Sequence, residues 1–228
     1  QIGDRLPVYE WNAITHKPGA CLRFGMAYPD VYEVGMSYLG LQILYGLLNE
    51  RDWIWCERVF APWPDMEKKL REEKIPLKTL ESDTPLKDLD ILGFSLQHEM
   101  LYTNVLAILE LGGIPIESQY RSKHDPLVIA GGPCAYNPMP MADFIDAFAI
   151  GEGEELVLEL CETVVRLRRE GANRKTLLEA LGRLPGLFVP SCYQNQTNRL
   201  GECFPSCPIV PGIPEVVEKR IVSDFENS

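Results

Sequence analysis

The chain is poor in histidine, with three in 228 residues, and no apolar run approaches the ~18–20 residues that cross a bilayer. It has no excess of positive charge. Its 33 acidic and 22 basic side chains leave a formal net charge of −11. An acidic surface repels phosphate backbones, so direct nucleic-acid binding by this segment is not expected, and neither is a membrane partner. Nor is there a disulfide framework: seven cysteines are an odd number, most in apolar or strand-like contexts. That usage suits a reducing cytosol, and a cytoplasmic location is the expectation. No secretory signal is legible, and Gln1 in place of Met reads as a fragment or a processed chain. Repeats and low-complexity tracts are also missing.

What is present is the composition of a soluble globular protein, 46% hydrophobic and 24% charged. The length suits one large domain, or one domain plus an extension. Strands are predicted at 20–28, 54–62, 90–96, 126–132 and 147–151. Helices are predicted from Ser37 to about Asp52, at 65–73 with Asp65 as N-cap, from Glu99 to Leu111, from Glu152 to Glu170 and at 173–184. The first helix places Leu39, Ile43, Leu44, Leu47 and Leu48 on one face. Gly112-Gly113 ends the third. "PLKTLE" reads as a short edge strand, "MADFIDAF" as a short helix and "GLFVP" as strand-like.

Strands alternate with helices, and the central strands are continuous apolar runs. This pattern predicts an α/β fold, a flavodoxin-like (Rossmann-like) doubly wound parallel sheet of about five strands with helices on both faces. Residues 1–19 read as an N-terminal arm and 20–190 as the α/β domain. Residues 191–228, rich in Pro, Gly, Cys and polar residues, read as a linker, with "VVEKRIVSDFENS" as a strand leaving the domain.

In such sheets ligands bind beyond the carboxyl ends of the strands. The loops there, 29–37, 96–100, 131–141 and 151–155, hold the least ordinary residues of the chain. Gly131 and Gly132 let a backbone approach a ligand, or serve a tight turn. Gly151-x-Gly153 resembles part of a phosphate loop, but the third glycine and a following Gly-Lys-Ser/Thr are absent. Glu152, Glu154 and Glu155 already satisfy the positive end of the helix there and would repel a phosphate. They either accept hydrogen bonds from a neutral ligand or stabilise the helix. His98 offers a cap to the helix that follows. Ser95 and Leu96 form a small-residue strand end of the kind that sheet packing requires. Trp63 reads as a core residue or a domain contact.

Asp30-x-Tyr32-x-x-Gly35, with Glu33 between, has the spacing of a cobalamin-binding signature, Asp-x-His-x-x-Gly, in which the His coordinates cobalt and the Asp orients it. Here Tyr stands in the His position, and a phenol of pKa ~10 is a poor cobalt ligand at neutral pH. The competing reading is a plain strand-to-helix turn in which Asp30 caps, Gly35 bends and Tyr32 packs.

"PDVYEVGMSYLGLQILYGLLNE", "ERVFAPWPDMEKKLR", "LGFSLQHEMLYTNVLAILELGGIP" and "VIAGGPCAYNPMPMADFIDAFAIGEGEE" resemble the amino-terminal, cobalamin(B12)-binding-like domain of B12-binding radical SAM proteins. The resemblance implies an α/β domain placed before a TIM-barrel-like radical SAM core. That core carries a [4Fe-4S] cluster on Cys-x-x-x-Cys-x-x-Cys and cleaves S-adenosylmethionine. Any cobalamin then sits at the carboxyl ends of the sheet. The cofactor-binding candidates are Asp30, Tyr32, Glu33, Gly35, Ser95, Leu96, His98, Gly131, Gly132, Gly151 and Gly153; beside their plain readings, the resemblance implies His98 as a cobalt ligand or a hydrogen-bond donor to a corrin, and Ser95 and Leu96 as the strand end that makes room for a nucleotide tail. Cys203 and Cys207 do not complete the cluster motif, because position 210 is Val, so the cluster and S-adenosylmethionine are expected only in a downstream domain. The resemblance also implies a partner, the downstream radical SAM domain, and an unknown substrate. Three readings follow: a cobalamin-binding domain of a methyltransferase-like or methylthiotransferase-like enzyme, a ligand-free docking domain, and a stand-alone nucleotide-binding domain, which the poor phosphate loops oppose.

Overall fold

The structure, a computed structural model, describes residues 13–197 and 203–222. Strand β1 (Leu22–Tyr28) is buried at six of its seven positions, as an apolar run covered on both faces must be. One helical turn, α1 (Tyr32–Gly35), precedes α2 (Leu39–Asn49). Strand β2 (Ile54–Phe60) pairs parallel with β1, and α3 (Pro64–Glu73) follows. Strand β3 (Ile91–Ser95) takes the other side of β1. Helix α4 (Tyr102–Leu111) leads to β4 (Leu127–Gly131). Two 3-10 turns, Pro133–Tyr136 and Met139–Met141, lead on to β5 (Ala147–Ala149). Helices α5 (Glu154–Arg169) and α6 (Arg174–Leu181) and strand β6 (Leu187–Phe188) follow.

The sheet order is β2-β1-β3-β4-β5-β6. The first five strands are parallel, and the order is that of a flavodoxin-like doubly wound fold. The sixth is a two-residue antiparallel edge strand on β5, beyond the five expected. Helices α2 and α5 touch each other, and so do α3 and α4, as right-handed crossovers in this order require. No helix among the described residues is long and apolar enough to cross a membrane.

Several local expectations change. "PLKTLE" forms a single bridge, Lys78 to Pro85, and not a strand. Its side chains bond to β2 instead. Buried Glu57 accepts from Thr79 Oγ1 at 2.9 Å, from Ser82 Oγ at 2.5 Å and from Arg23 at 2.5 Å. Glu81 pairs with Arg58 at 2.7 Å. "MADFIDAF" gives only the 3-10 turn, because Asp146 must stand at the entrance to β5. There it accepts from Val128 N–H, Arg121 and Arg174. Helix α3 begins with Trp63 as N-cap and Pro64 at its first position, which leaves Asp65 in the first turn. The expected face of α2 also turns. Leu41, Tyr45 and Leu48 are buried, while Leu39 and Ile43 are exposed. The turn of α1 delays the start of α2 by two residues, and the large ring of Tyr45 goes inside, with Arg58 over it at 5.1 Å.

Residues 191–228, read as a linker, hold in their described part a hairpin of β7 (Tyr193–Thr197) and β8 (Cys203–Pro208). Beyond it Ile213 and Val222 are buried, and Arg220 bridges Gly151. The described part of the arm is tied down too. Ile14 N–H donates to Tyr45 Oη at 2.8 Å, and Trp55 Nε1 donates to the Ile14 carbonyl at 2.9 Å.

Candidate functional site

A cavity of about 260 Å³ lies between the sheet and helices α2 and α5. Phe24 and Met26 of β1 and Ile129 of β4 form its floor, and Leu156, Val157 and Leu160 of α5 with Leu44 of α2 form its wall. The interior is therefore apolar. Its mouth lies at the carboxyl ends of β3, β4 and β5. Ser95, Gln97, Gly131, Gly132, Gly151, Glu152 and Gly153 line it there, with Tyr38 and Gly40 from the α2 side.

The glycines of the mouth have different reasons to be glycine. A Cβ at Gly132 (φ +100°) would lie 2.7 Å from the Leu96 carbonyl, and one at Gly151 (φ +104°) would lie 2.2 Å from the Arg220 carbonyl. Both are required by the backbone itself. At Gly131 and Gly153 the nearest atoms to a Cβ are 3.7 Å (Ala149) and 3.6 Å (Leu44), an ordinary contact. Nothing in the packing demands glycine at these two positions, and its smallness there leaves the mouth open.

The sequence candidates divide into two groups. Ser95, Gly131, Gly132, Gly151 and Gly153 line this one cavity. Asp30, Tyr32, Glu33 and Gly35 do not. Asp30 Oδ1 accepts from the Val31 N–H at 2.7 Å, and its backbone carbonyl receives Ala61 N–H at 2.9 Å. The Tyr32 ring stands edge-on to Phe60, 5.2 Å between centroids. Glu33 accepts from Trp63 Nε1 at 3.0 Å. Gly35 is buried where a Cβ would meet Phe60 at 2.7 Å and Tyr28 at 2.9 Å. This turn is knitted into β2 and α3. Burial, then the neighbouring Asp30 carboxylate, raises the Tyr28 phenol pKa above its ordinary value.

Leu96 is fully buried and faces the core. His98 is exposed. It begins the 3-10 turn Glu99–Leu101 through its carbonyl and makes no side-chain cap. The residue sequence reasoning missed is Gln97, whose Nε2 donates to Ser95 Oγ at 2.9 Å. Strand alternation carried one step past β3 would have found it, since Ser95 and Gln97 share a side and Leu96 does not. Tyr38 and Gly40 were also passed over; the ring of Tyr38 lies 5.4 Å from that of Tyr28.

The fold's switch point lies between β1 and β3. There Asn104 Nδ2 donates to the Pro29 carbonyl at 2.8 Å and ties the two loops together. The cavity opens beside this tie, over β3, β4 and β5. The acidic turn "GEGEE" also has a structural occupant. Glu152 Oε2 accepts from the Val222 N–H, while Glu155 and Glu159 both receive the Arg220 guanidinium. These pairs fix the C-terminal segment to the start of α5.

Position 32 supplies no imidazole to this site. Among the described residues no three His, Cys, Asp or Glu side chains are grouped to hold a metal ion. Cys203 and Cys207 are four residues apart on one strand, about 13 Å at the usual rise.

Compared with known proteins, residues 40–190 match the family described as radical SAM proteins, N-terminal. No curated protein and no solved structure gives a significant match.

Proposed function

This chain belongs to the family of N-terminal domains of radical SAM proteins, and on that premise we propose that its rim cavity holds the nucleotide tail of a cobalamin. The [4Fe-4S] cluster and S-adenosylmethionine belong to the radical core of such a protein, and this domain would supply the second cofactor. The observation that carries the reading is the apolar recess of about 260 Å³ with Gly131 and Gly153 at its mouth. A recess with this apolar lining suits the base of such a tail, a planar bicyclic ring, with the rest of the tail at the mouth. Ser95 and Gln97 offer hydrogen bonds at the entrance, and Leu156, Val157 and Leu160 pack against the inserted group. Bound there, cobalamin supplies a cobalt centre able to carry a methyl group, which fits methylation or methylthiolation. Position 32 is a phenol, so cobalt would have no imidazole ligand from it.

The chain mixed with hydroxocobalamin and then desalted should retain the corrin absorbance band. A colourless protein overturns the reading. It would favour a second one, a ligand-free domain that shapes the radical core by docking. One observation supports that alternative: Asp30, Tyr32, Glu33 and Gly35 are each accounted for by packing or by local hydrogen bonds.

A further inference from the structure

A second cleft, of about 760 Å³, lies at the other end of the sheet. It opens beside the segments that enter β4 and β5, where Asp146 stands, and beside Ser191 and Cys192, which follow the antiparallel edge strand β6. It shares no lining residue with the rim cavity. Four cationic side chains line it: Arg121, Arg174, Lys175 and Arg183. Two carboxylates do, Asp146 and Glu179. The lining thus carries an excess of two positive charges, in a chain whose formal net charge is −11. Local charge of that sign in a concave, partly apolar wall draws anions.

The pairing inside the cleft leaves this charge uncompensated. Asp146 Oδ2 receives both Arg121, at 3.1 Å, and Arg174, at 2.6 Å, so one buried carboxylate serves two guanidiniums. Carbonyls take their other bonds: Pro115, Ile116 and Phe144 from Arg121, and Ser122, Asp125 and Pro126 from Arg174. These hold the two planes in place without adding a negative charge. Burial lowers the Arg121 pKa, and the Arg174 charge adds to that lowering while Asp146 opposes it. The Arg183 guanidinium donates to the carbonyls of Glu179 and Pro211, at 2.9 and 3.0 Å, and not to a carboxylate. Lys175 is exposed and stands 3.9 Å from Glu179. Asp146 Oδ1 and Arg174 Nε are buried with no hydrogen-bond partner among the described residues. Such atoms are uncommon in a native interior, and both belong to residues of this lining. Ile145, Leu178, Ile209, Val210 and Pro211 make the rest of the wall apolar.

We propose that this cleft binds a small organic phosphate monoester. Such a group carries close to two negative charges at neutral pH, its second pKa being about 6, and so matches the excess of the lining. Lys175 and Arg183, both at the cleft surface, face the dianion, and Ser118 and Ser191 offer hydroxyls to its oxygens. The organic body lies on Leu178, Ile209 and Val210. Arg121 and Arg174, fixed behind them, supply field and not contact. A cleft of this size covers both parts of such a ligand. The inference is independent of a bound cobalamin.

Calorimetric titration of the 228-residue chain with phenyl phosphate tests it, in the absence of corrinoid. Inorganic phosphate supplies the dianion without the body, and phenol the body without the dianion. Phenyl phosphate should bind saturably, at least about tenfold more tightly than either fragment, and more weakly as salt is added. The paired variant Lys175→Gln with Arg183→Gln should weaken binding about tenfold or more, with an unchanged circular dichroism spectrum. Lys68→Gln with Lys69→Gln removes two charges from exposed positions of α3 outside the cleft, and should leave the affinity within about twofold. Gly153→Leu, which acts at the rim cavity, should leave it unaltered too, so the outcome is separate from that of the cobalamin titration. Failure of phenyl phosphate to bind, or equal binding by the variant without the two cleft cations, overturns the proposal. Inorganic phosphate binding as tightly as phenyl phosphate also overturns it, because the cleft would then only adsorb anions.

Discussion

The ring of Tyr32 meets the ring of Phe60 edge-on, at 5.2 Å and an interplanar angle of 81°. The residue at the cobalt-ligand position of the signature is thus a packing residue between α1 and β2. Tyr32→Ala should lower stability by about 2 kcal/mol, somewhat under the cost of a fully buried aromatic, as read by urea unfolding. Tyr32→His should not give bound cobalamin the absorbance of an imidazole-ligated corrin. Appearance of that spectrum would show that the turn can swing its side chain to the rim.

Two glycines should behave in opposite ways. Gly35→Ala drives a methyl group into Phe60 and Tyr28 and should cost about 1–3 kcal/mol, the range for overpacked cores. Gly153→Ala meets only ordinary contact with Leu44 and should leave thermal unfolding within a degree or two of wild type. Its effect belongs to the width of the mouth. Equal losses of Tm in both variants would contradict this division.

The C-terminal segment around Arg220 makes its own forecast. Gly151→Ala places a Cβ 2.2 Å from the Arg220 carbonyl at a φ of +104°, so that segment must shift. Arg220→Ala removes the guanidinium from Glu155 and Glu159 with less disturbance of the backbone. Limited proteolysis should cut between 212 and 222 faster in both variants than in wild type, and faster in Gly151→Ala. Unchanged cleavage would mean that the backbone bridge and the ion pairs do not hold this segment.

Burial pushes the Tyr45 phenol pKa up to about 12, against an ordinary value of 10.0. The folded state keeps this proton where the unfolded state loses it. The contribution to stability is therefore complete below pH 10 and is lost as pH rises towards 12. Tyrosinate absorbance should show Tyr45 ionising late, and Tyr45→Phe should flatten the alkaline decline in stability. An unchanged decline in the variant would place its origin in other groups, such as Tyr102, which burial also raises to about 12.

Much of the fold was legible because its signals are periodic. Apolar runs such as Leu22–Tyr28 and the α5 face of Leu156, Leu160, Val164 and Leu167 repeat with the period of their element. What escaped depends on partners far along the chain. The Pro- and Gly-rich composition of 191–228 does not show that Arg220 will bond to Gly151, a residue about 70 positions earlier. The face of α2 escaped because Tyr45 reaches Ile14 and Arg58, neither of which is visible in the helix's own pattern. At the site, the glycines were legible as glycines but not as two kinds, those the backbone demands and those that keep a space open. Gln97 was overlooked beside the more reactive His98, although side-chain alternation after β3 favours Gln97.

Equilibrium titration of hydroxocobalamin into the 228-residue chain and its Gly153→Leu variant bears most directly on the cavity. A leucine at that position would fill the opening beside Leu44. Wild type should bind and show a corrin spectral change, while the variant should bind at least about tenfold more weakly with an unaltered Tm, a loss of about 1.4 kcal/mol. No binding by wild type, or equal binding by both proteins, would contradict the assignment of the recess as the tail site.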